Sequence, residues 1–520
     1  MSERLAKAML AGIGLSHPCD NPQFVETHIS WLVMLGQFVY KIKKPVDLGF
    51  VDFSTLEKRQ TYCEAELHLN QRTAPHIYLE VVSIAGTEDQ PVVVSQADES
   101  QVPFEYAVKM NRFRNENILA EMVARGRLDK GIILKLASAI AHFHDTIRAE
   151  AVDPAFIAMD RVKQPVDDNF TTLNQFDEVT KDQRLLGTLQ TWSDNYFEAH
   201  RSDFEKRSRH GAIRNCHGDL HLANIFYEAG KCTLFDCIEF SEELRYIDVA
   251  NDVAFTIMDL EHHGEPRLAH QLMNEYLQHT GDYDSLSVMV FYLVYRAMVR
   301  AKVAAIRASQ DPSQAGALGS ECTHYLELAS SFTRPREPFL VMMCGLSGSG
   351  KTTVGRELSA GPGAIHIRSD VERKRLFGLR LTESSHDRGI DIYSEDANEQ
   401  TFSELARLAG DIARQGYPVV VDATFIKQNE RQRFEALSDE LSVPWAIVEC
   451  ICDEETTRKR LHLRRDDASE AGFEQYLAQR ERFDAFSVEE ARHRVVVDTT
   501  TASGVSSDEL TSALRGQREG

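Results

Sequence analysis

The sequence predicts an α+β domain followed by an α/β domain with a parallel sheet. Three observations carry that expectation. Strand patterns dominate up to about residue 110, and helical patterns dominate from about 115 to 305. After Pro338, short continuous apolar runs alternate with helices, the pattern of a parallel sheet covered on both faces. The length of 520 residues also exceeds what one ordinary core organises.

Taken in order, strands are expected at 27–34, 37–43, 77–84, 91–95 and 104–110, with one helix near 55–71. Short strands near 225–235 interrupt the helical part. The stretch Thr333-Arg334-Pro335-Arg336-Glu337-Pro338 stops a helix, because proline lacks an N–H and clashes with the preceding turn. It reads as a linker, 333–338, between domains 1–332 and 339–520. Phe339-Leu340-Val341-Met342-Met343-Cys344 then reads as a buried parallel strand. Further strands are expected at 364–367, 417–421, 445–450 and 494–498.

Asp and Glu number 80 against 58 Lys and Arg, a formal charge of −22. That balance disfavours attraction to a nucleic-acid backbone or an anionic membrane. Residues 338–520 alone hold 32 acidic and 24 basic side chains, which argues against nucleic acid for the second domain. The most apolar stretch, Val288 to Ile306, is interrupted by Arg296, Arg300 and Lys302, so no membrane span is expected. No signal-peptide pattern is evident, and the nine cysteines lack a CxxC pair. A cytoplasmic protein with reduced thiols is expected. His142 and His144 have no second cluster to make a metal site. Asp248 and Asp252 are expected to brace the loop that precedes them.

Residues 345–352 read Gly-Leu-Ser-Gly-Ser-Gly-Lys-Thr, which is G-x-x-x-x-G-K-[ST] after a buried strand and before a helix. The backbone of Gly345, Ser347, Gly348, Ser349 and Gly350 can turn its N–H groups around phosphate oxygens. Lys351 would reach the β- and γ-phosphates of ATP, and Thr352 would ligate Mg²⁺, with Thr353 next in the nucleotide-binding run. Asp422, at the end of Val419-Val420-Val421, is placed to hold the metal through water. Asp370 follows a second strand, where a carboxylate can take the proton of an acceptor hydroxyl. Arg373 lies one helical turn on and can grip the acceptor. Arg460 and Arg464 are i,i+4 neighbours in a basic helix that suits a phosphate-clamping lid. Helix capping is the plainer role for Asp370 and Asp422.

On GLSGSGKTT (345–353), RSDVERKRLFG (368–378) and VVDATF (420–425), the segment 339–500 resembles the small P-loop kinases grouped as AAA_33, relatives of zeta toxins and polynucleotide 5′-kinases. The resemblance implies that Asp370 is the acceptor's base and that lid arginines stabilise the transferred phosphoryl group.

Residues 217–224 read His-Gly-Asp-Leu-His-Leu-Ala-Asn, H-x-D-x-x-x-x-N, and Asp236 follows twelve residues on. Phosphoryl transfer needs a base beside the acceptor hydroxyl and oxygen ligands for Mg²⁺. Asp219 suits the base, and Asn224 with Asp236 suits the metal. This segment, roughly 25–300, resembles the aminoglycoside phosphotransferase family with its choline and sugar kinase relatives. The resemblance implies a protein-kinase-like fold for the first domain, beside a P-loop NTPase fold for the second. It also implies an ATP-anchoring lysine–glutamate pair, assigned here to Lys41 and Glu66. Ala107-Val108-Lys109-Met110 is a rival lysine strand, but 104–111 fits better as the hinge at the adenine. No Gly-rich loop is visible between the first strands, where Leu35-Gly36-Gln37 is the only turn.

The whole chain resembles bacterial bifunctional aminoglycoside phosphotransferase/ATP-binding proteins. The expectation is two ATP- and Mg²⁺-dependent kinase domains acting on hydroxyls of small-molecule acceptors. The alternative is a nucleic-acid 5′-hydroxyl or nucleotide-sugar (toxin-like) kinase in the second domain, with the first as a nucleotide-binding regulatory module.

Overall fold

A computed structural model describes residues 3–49, 51–95, 101–149, 152–180, 182–463, 467–501 and 504–515. The chain divides into two compact units. One comprises residues up to 263 with 291–329, the other 264–290 with 330 onward. Residues 264–290, which order along the chain assigns to the first domain, therefore pack within the second unit. No helix among the described residues is long and apolar enough to cross a membrane.

The first unit begins with a six-stranded antiparallel sheet. Its strands are β1 (Gln23–Glu26), β2 (Ser30–Leu35), β3 (Phe38–Lys43), β4 (Tyr78–Gly86), β5 (Pro91–Ser95) and β6 (Pro103–Asn111). Their order is β1-β2-β3-β6-β4-β5. Alternation divides each strand between two faces. Val39, Tyr78 and Val108 pack with Cys63 of the helix Leu56–Gln71, while Val33, Leu35 and Ile42 pack with Leu5 and Met9 of the helix Glu3–Leu10. Thr55 caps the longer helix by accepting the N–H of Lys58.

The strand expected at 27–34 starts only at Ser30, because Thr27–Ile29 form a turn closed by the Thr27 hydroxyl, which accepts the Ser30 N–H at 2.9 Å, and a further strand, β1, precedes that turn. Leu35-Gly36-Gln37 is thus the second turn of the sheet, not the only one. Gly36 has φ +55°, and a Cβ there would sit 2.6 Å from the Pro18 carbonyl oxygen.

The helical part of this unit carries two small ribbons. β7 (Ile213–Asn215) pairs with β10 (Tyr246–Asp248), and β8 (Ile225–Glu228) pairs with β9 (Lys231–Leu234). The loop 216–224 runs between β7 and β8. Asp248 caps the helix Val249–His262 by accepting the Ala250 N–H, and it meets the buried Arg207 guanidinium through two 2.7 Å bonds.

The second unit holds the expected parallel sheet. Its strands are β11 (Leu340–Cys344), β12 (Ile365–Arg368), β13 (Val419–Asp422), β14 (Trp445–Ile451) and β15 (Arg494–Asp498), in the order β12-β13-β11-β14-β15. Every residue of β11, β12 and β13 is buried, as helices on both faces require. The helix Pro266–Thr280 covers the edge strand β12. Asn274 Oδ1 accepts the His366 N–H at 2.7 Å, and its Nδ2 donates to the Ala364 carbonyl at 2.9 Å. The carboxamide thereby supplies the two bonds a further strand would make.

Candidate active sites

In the first unit, the side chains of Lys41 and Lys43 point to the same face of β3 because they are two residues apart. Lys41 Nζ lies 2.7 Å from Glu66 Oε1 and 2.6 Å from Asp236 Oδ1. Lys43 Nζ, fully buried, lies 2.7 Å from Glu66 Oε2 and also bonds Glu239. Glu66 therefore bridges two ammonium groups. Burial alone would raise its carboxyl, but Lys41 and Lys43 hold it down at about 2. Burial raises Glu239, and the neighbouring Lys43 and Lys41 offset that only in part.

Asp236 follows β9 with a left-handed backbone, φ +62°, and its N–H donates to the Tyr78 hydroxyl at 3.1 Å. Asn70 fixes the next residue. Its Oδ1 accepts the Cys237 N–H at 2.9 Å while its Nδ2 donates to the Glu66 carbonyl. The helix that carries Glu66 is thus tied to the loop that carries Asp236.

The loop 217–224 is held from below by Asp252, whose two oxygens accept the N–H groups of His217 and Gly218 at 3.0 and 2.9 Å. His217 is buried, and burial lowers it to the neutral form. Its Nδ1 faces the Asp219 N–H and its Nε2 faces the Phe235 carbonyl, a pattern that calls for the proton on Nε2. Asn224 Nδ2 donates to Asp219 Oδ2 at 3.0 Å, which leaves its Oδ1 for another partner. Burial pushes the Asp219 carboxyl up, but His221, His217 and Arg300 outweigh it and hold it below the usual range. Asp219 is ionised at neutral pH, as a proton acceptor must be.

His144, Cys216 and Asp252 place one ligand atom each within 4.8 Å of one another. Asp252 spends its oxygens on the loop N–H groups and on His144 at 3.2 Å, so the trio braces the loop.

In the second unit, Gly345 has φ +141°, and a Cβ there would sit 2.4 Å from the Cys450 carbonyl oxygen. Only glycine fits this entry to the loop 345–352. Gly348 and Gly350 also take positive φ, and the Ser349 N–H donates to the Leu346 carbonyl. Lys351 Nζ donates to the carbonyls of Gly345 and Leu346, both at 2.9 Å. Thr352 Oγ1 donates to Asp422 Oδ2 at 2.7 Å. Burial pushes Asp422 up, but His366, Lys351 and Arg368 hold it below the usual range. His366 is fully buried behind it, with Nε2 at 3.5 Å from Asp422 Oδ2.

Asp370 sits in the first turn of the helix Ser369–Leu376 and accepts a long 3.4 Å bond from the Tyr393 hydroxyl. Arg373 stacks over the Tyr393 ring at 5.0 Å, donates to the Ile392 carbonyl at 2.7 Å and keeps its buried Nε without a partner. Lys351, Thr352, Asp422, Asp370, Arg373 and Arg460 all line one cavity of about 670 Å³. Arg460 turns its guanidinium to Thr499 Oγ1 at 2.9 Å and the Thr499 carbonyl at 2.7 Å, so it braces the loop end. Arg464 lies outside the described residues.

Residues 113–288 match the model of the phosphotransferase enzyme family APH, and residues 340–486 match the AAA domain model AAA_33. The uncharacterized protein Rv2004c of Mycobacterium tuberculosis is 30% identical over 417 residues, 79% of this chain and 80% of that protein. The chain belongs to the family that joins an APH phosphotransferase domain to an AAA_33 domain. It is a kinase-type enzyme. A choline/ethanolamine kinase family protein from Mesorhizobium loti is 13% identical with a TM-score of 0.36, covering 64% of this chain and 98% of that one. A gluconokinase from Sinorhizobium meliloti is 21% identical with a TM-score of 0.24, covering 35% of this chain and 92% of that one.

Several residues of these sites were not singled out from sequence. Lys43 was legible, being two residues from Lys41 on the same face. Glu239 lies three residues past Asp236 and gives no periodic signal. Gln479, whose Oε1 accepts the Ser347 N–H at 2.8 Å, is 132 residues distant in the chain. Nothing local marks it.

Proposed function

We propose that the chain is a bifunctional ATP-dependent phosphotransferase, each unit moving the γ-phosphoryl group to a hydroxyl of a small-molecule acceptor. One observation carries this reading. In each unit, a carboxylate that makes no arginine or lysine ion pair among the described residues accompanies a lysine and oxygen donors that suit nucleotide and metal. In the first unit these are Asp219, Lys41, Asn224 and Asp236. In the second they are Asp370, Lys351, Thr352 and Asp422.

The donor sets fit Mg²⁺, which takes hard oxygen ligands. Asn224 Oδ1 and Asp236 would hold it in the first unit, and Thr352 with Asp422 in the second. The ion would neutralise charge developing on the phosphate oxygens. The protein's own part is positioning. Asp219 or Asp370 accepts the hydroxyl proton, Lys41 or Lys351 draws the phosphates, and the N–H groups of 345–352 shape the second site. A cavity of about 670 Å³ in the second unit supports a nucleotide with a small acceptor, within the range of small-molecule sites.

The test is incubation with Mg-ATP and a metabolite extract, with mass spectrometry for species that gain one phosphoryl group. Asp219→Asn and Asp370→Asn are expected each to remove a different product. A product set unchanged by Asp219→Asn would refute the first assignment and favour a nucleotide-sensing role for that unit. ATP hydrolysis with no phosphorylated small molecule would point to nucleic acid or protein acceptors.

A further inference from the structure

Near the loop 217–224 the first unit holds a cation that the proposed chemistry does not use. Arg296 and Arg300 lie one turn apart on the helix Leu286–Gln310 and share a face. Arg296 is spent on structure. It donates to the Gly218 carbonyl at 3.0 Å and the Asn251 carbonyl at 3.2 Å, and it stacks over Phe255. Arg300, one turn on, is half-buried. Its Nε makes one long bond, 3.4 Å, to the Tyr325 hydroxyl. Among the described residues, its terminal nitrogens donate to no protein acceptor, and it makes no ion pair.

Histidines and an aromatic ring surround it. His262 stacks on Tyr325 at 3.9 Å, with His324 at 4.9 Å and His263 at 5.4 Å from His262. His221 Nε2 is 3.4 Å from Asp219 Oδ2. Asp259 and Asp219 are carboxylates whose charge reaches Arg300. Asp259 is occupied, accepting the Leu222 N–H at 2.8 Å with His263 at 3.9 Å. Asp219 is needed for the proton. An ammonium group entering here would find Asp259 engaged and Asp219 needed for the proton, whereas an anion would find a guanidinium with open donors.

Building on the kinase reading, we propose that the acceptor of the first unit is a hydroxyl compound bearing a carboxylate or phosphate, and that Arg300 binds that anionic group. A guanidinium offers either group two parallel N–H donors. With the anion on Arg300, the acceptor hydroxyl lies towards Asp219. Its oxygen forms the new bond to the γ-phosphorus, the β–γ bridging oxygen leaves with ADP, and its proton passes to Asp219. Arg300 is then a specificity-determining residue, and cationic aminocyclitols and choline are excluded acceptors.

The test is calorimetric titration of the full-length protein saturated with Mg²⁺ and a non-hydrolysable ATP analogue. The probes are glycerol 3-phosphate, D-glycerate, choline and kanamycin. At least one anionic probe should bind, and Arg300→Gln should weaken it about tenfold or more, near 1.4 kcal/mol. Arg300→Lys, which keeps the charge but loses the fork, should weaken it less and controls for misfolding. The two anions tell phosphate from carboxylate. Binding of choline or kanamycin that Arg300→Gln leaves unchanged would overturn the proposal. So would the absence of anion binding, or anion binding that Arg300→Gln alters less than about twofold. The kinase reading is judged separately. Anion binding that depends on Arg300, with no phosphoryl transfer that Asp219→Asn abolishes, would remove the kinase and leave the anion site standing.

Discussion

Replacing Glu66 by Gln keeps the shape of the side chain and deletes the charge shared by Lys41 and Lys43. The carboxyl is held at about 2 against 4.5 for a free glutamate, a gap of about 2.5. At about 1.36 kcal/mol for each pH unit, the ionised form is favoured in the fold by about 3 kcal/mol. Breaking a buried pair by removing one partner costs about 3–5 kcal/mol by a separate route, since uncompensated charge stays in the core. Both estimates place the loss in the first unit near 3 kcal/mol. The folded value is the depressed one, so the stabilisation is complete above pH 4.5 and disappears as pH falls through 2. About 2 of the 3 kcal/mol should be gone by pH 3.

The assay is urea unfolding followed by tryptophan fluorescence. Trp31 and Trp192 lie in the first unit and Trp445 in the second, so a Trp445→Phe background reports the first unit alone. Glu66→Gln in that background should lose about 3 kcal/mol at pH 7, and the gap to the parent should narrow towards pH 3. A loss under about 1 kcal/mol at pH 7, or a gap constant between pH 5 and 3, would refute the bridging role.

Three further perturbations follow from the same geometry. Lys43→Met should cost less than Glu66→Gln in the same assay, because Glu239, already raised by burial, can take up a proton and shed its charge. Asn274→Leu should lower the stability of the second unit by about 2–4 kcal/mol, since the buried His366 N–H and Ala364 carbonyl lose their partners; the Trp445 signal reads it. Gly345→Ala should weaken ATP binding in the second unit about tenfold or more while leaving Asp219-dependent transfer in place, because the new Cβ meets the Cys450 carbonyl; equilibrium binding of labelled ATP measures it.

Much of the fold was legible because its signals are local. The runs at 339–344, 417–421 and 445–450 correspond to β11, β13 and β14, the central strands of the parallel sheet, whose sequence is almost wholly apolar. The turn at 27–29 was missed because it is closed by the Thr27 hydroxyl on the Ser30 backbone, without glycine or proline. The sites were legible where one loop carries the motif, as at 217–224 and 345–352. They were not where distant segments converge. Tyr393 reaches Asp370 from 23 residues on, and Asn274 reaches β12 from 90 residues back. Helical periodicity put Arg460 on a lid face, yet its guanidinium is taken up by Thr499, a contact fixed by packing and not by spacing.

The two lysines proposed to bind phosphate differ in a way that bears on metal dependence. Lys351 rests on two neutral carbonyls of its own loop, so a phosphate arriving there displaces uncharged acceptors and gains a full ionic partner. Lys41 already lies between two carboxylates, Glu66 and Asp236, so a phosphate arriving there joins a site with excess negative charge. Like charges at that distance repel, and a divalent cation held by Asp236 would offset the repulsion. Chelating divalent ions should therefore weaken nucleotide binding in the first unit far more than in the second. Titration of labelled ATP into Lys351→Ala and Lys41→Ala proteins, each with and without EDTA, isolates the two sites. Equal losses at both would mean that the loop N–H groups of the second unit do not compensate for a missing cation, and that the carboxylates around Lys41 are not what makes the first site depend on one.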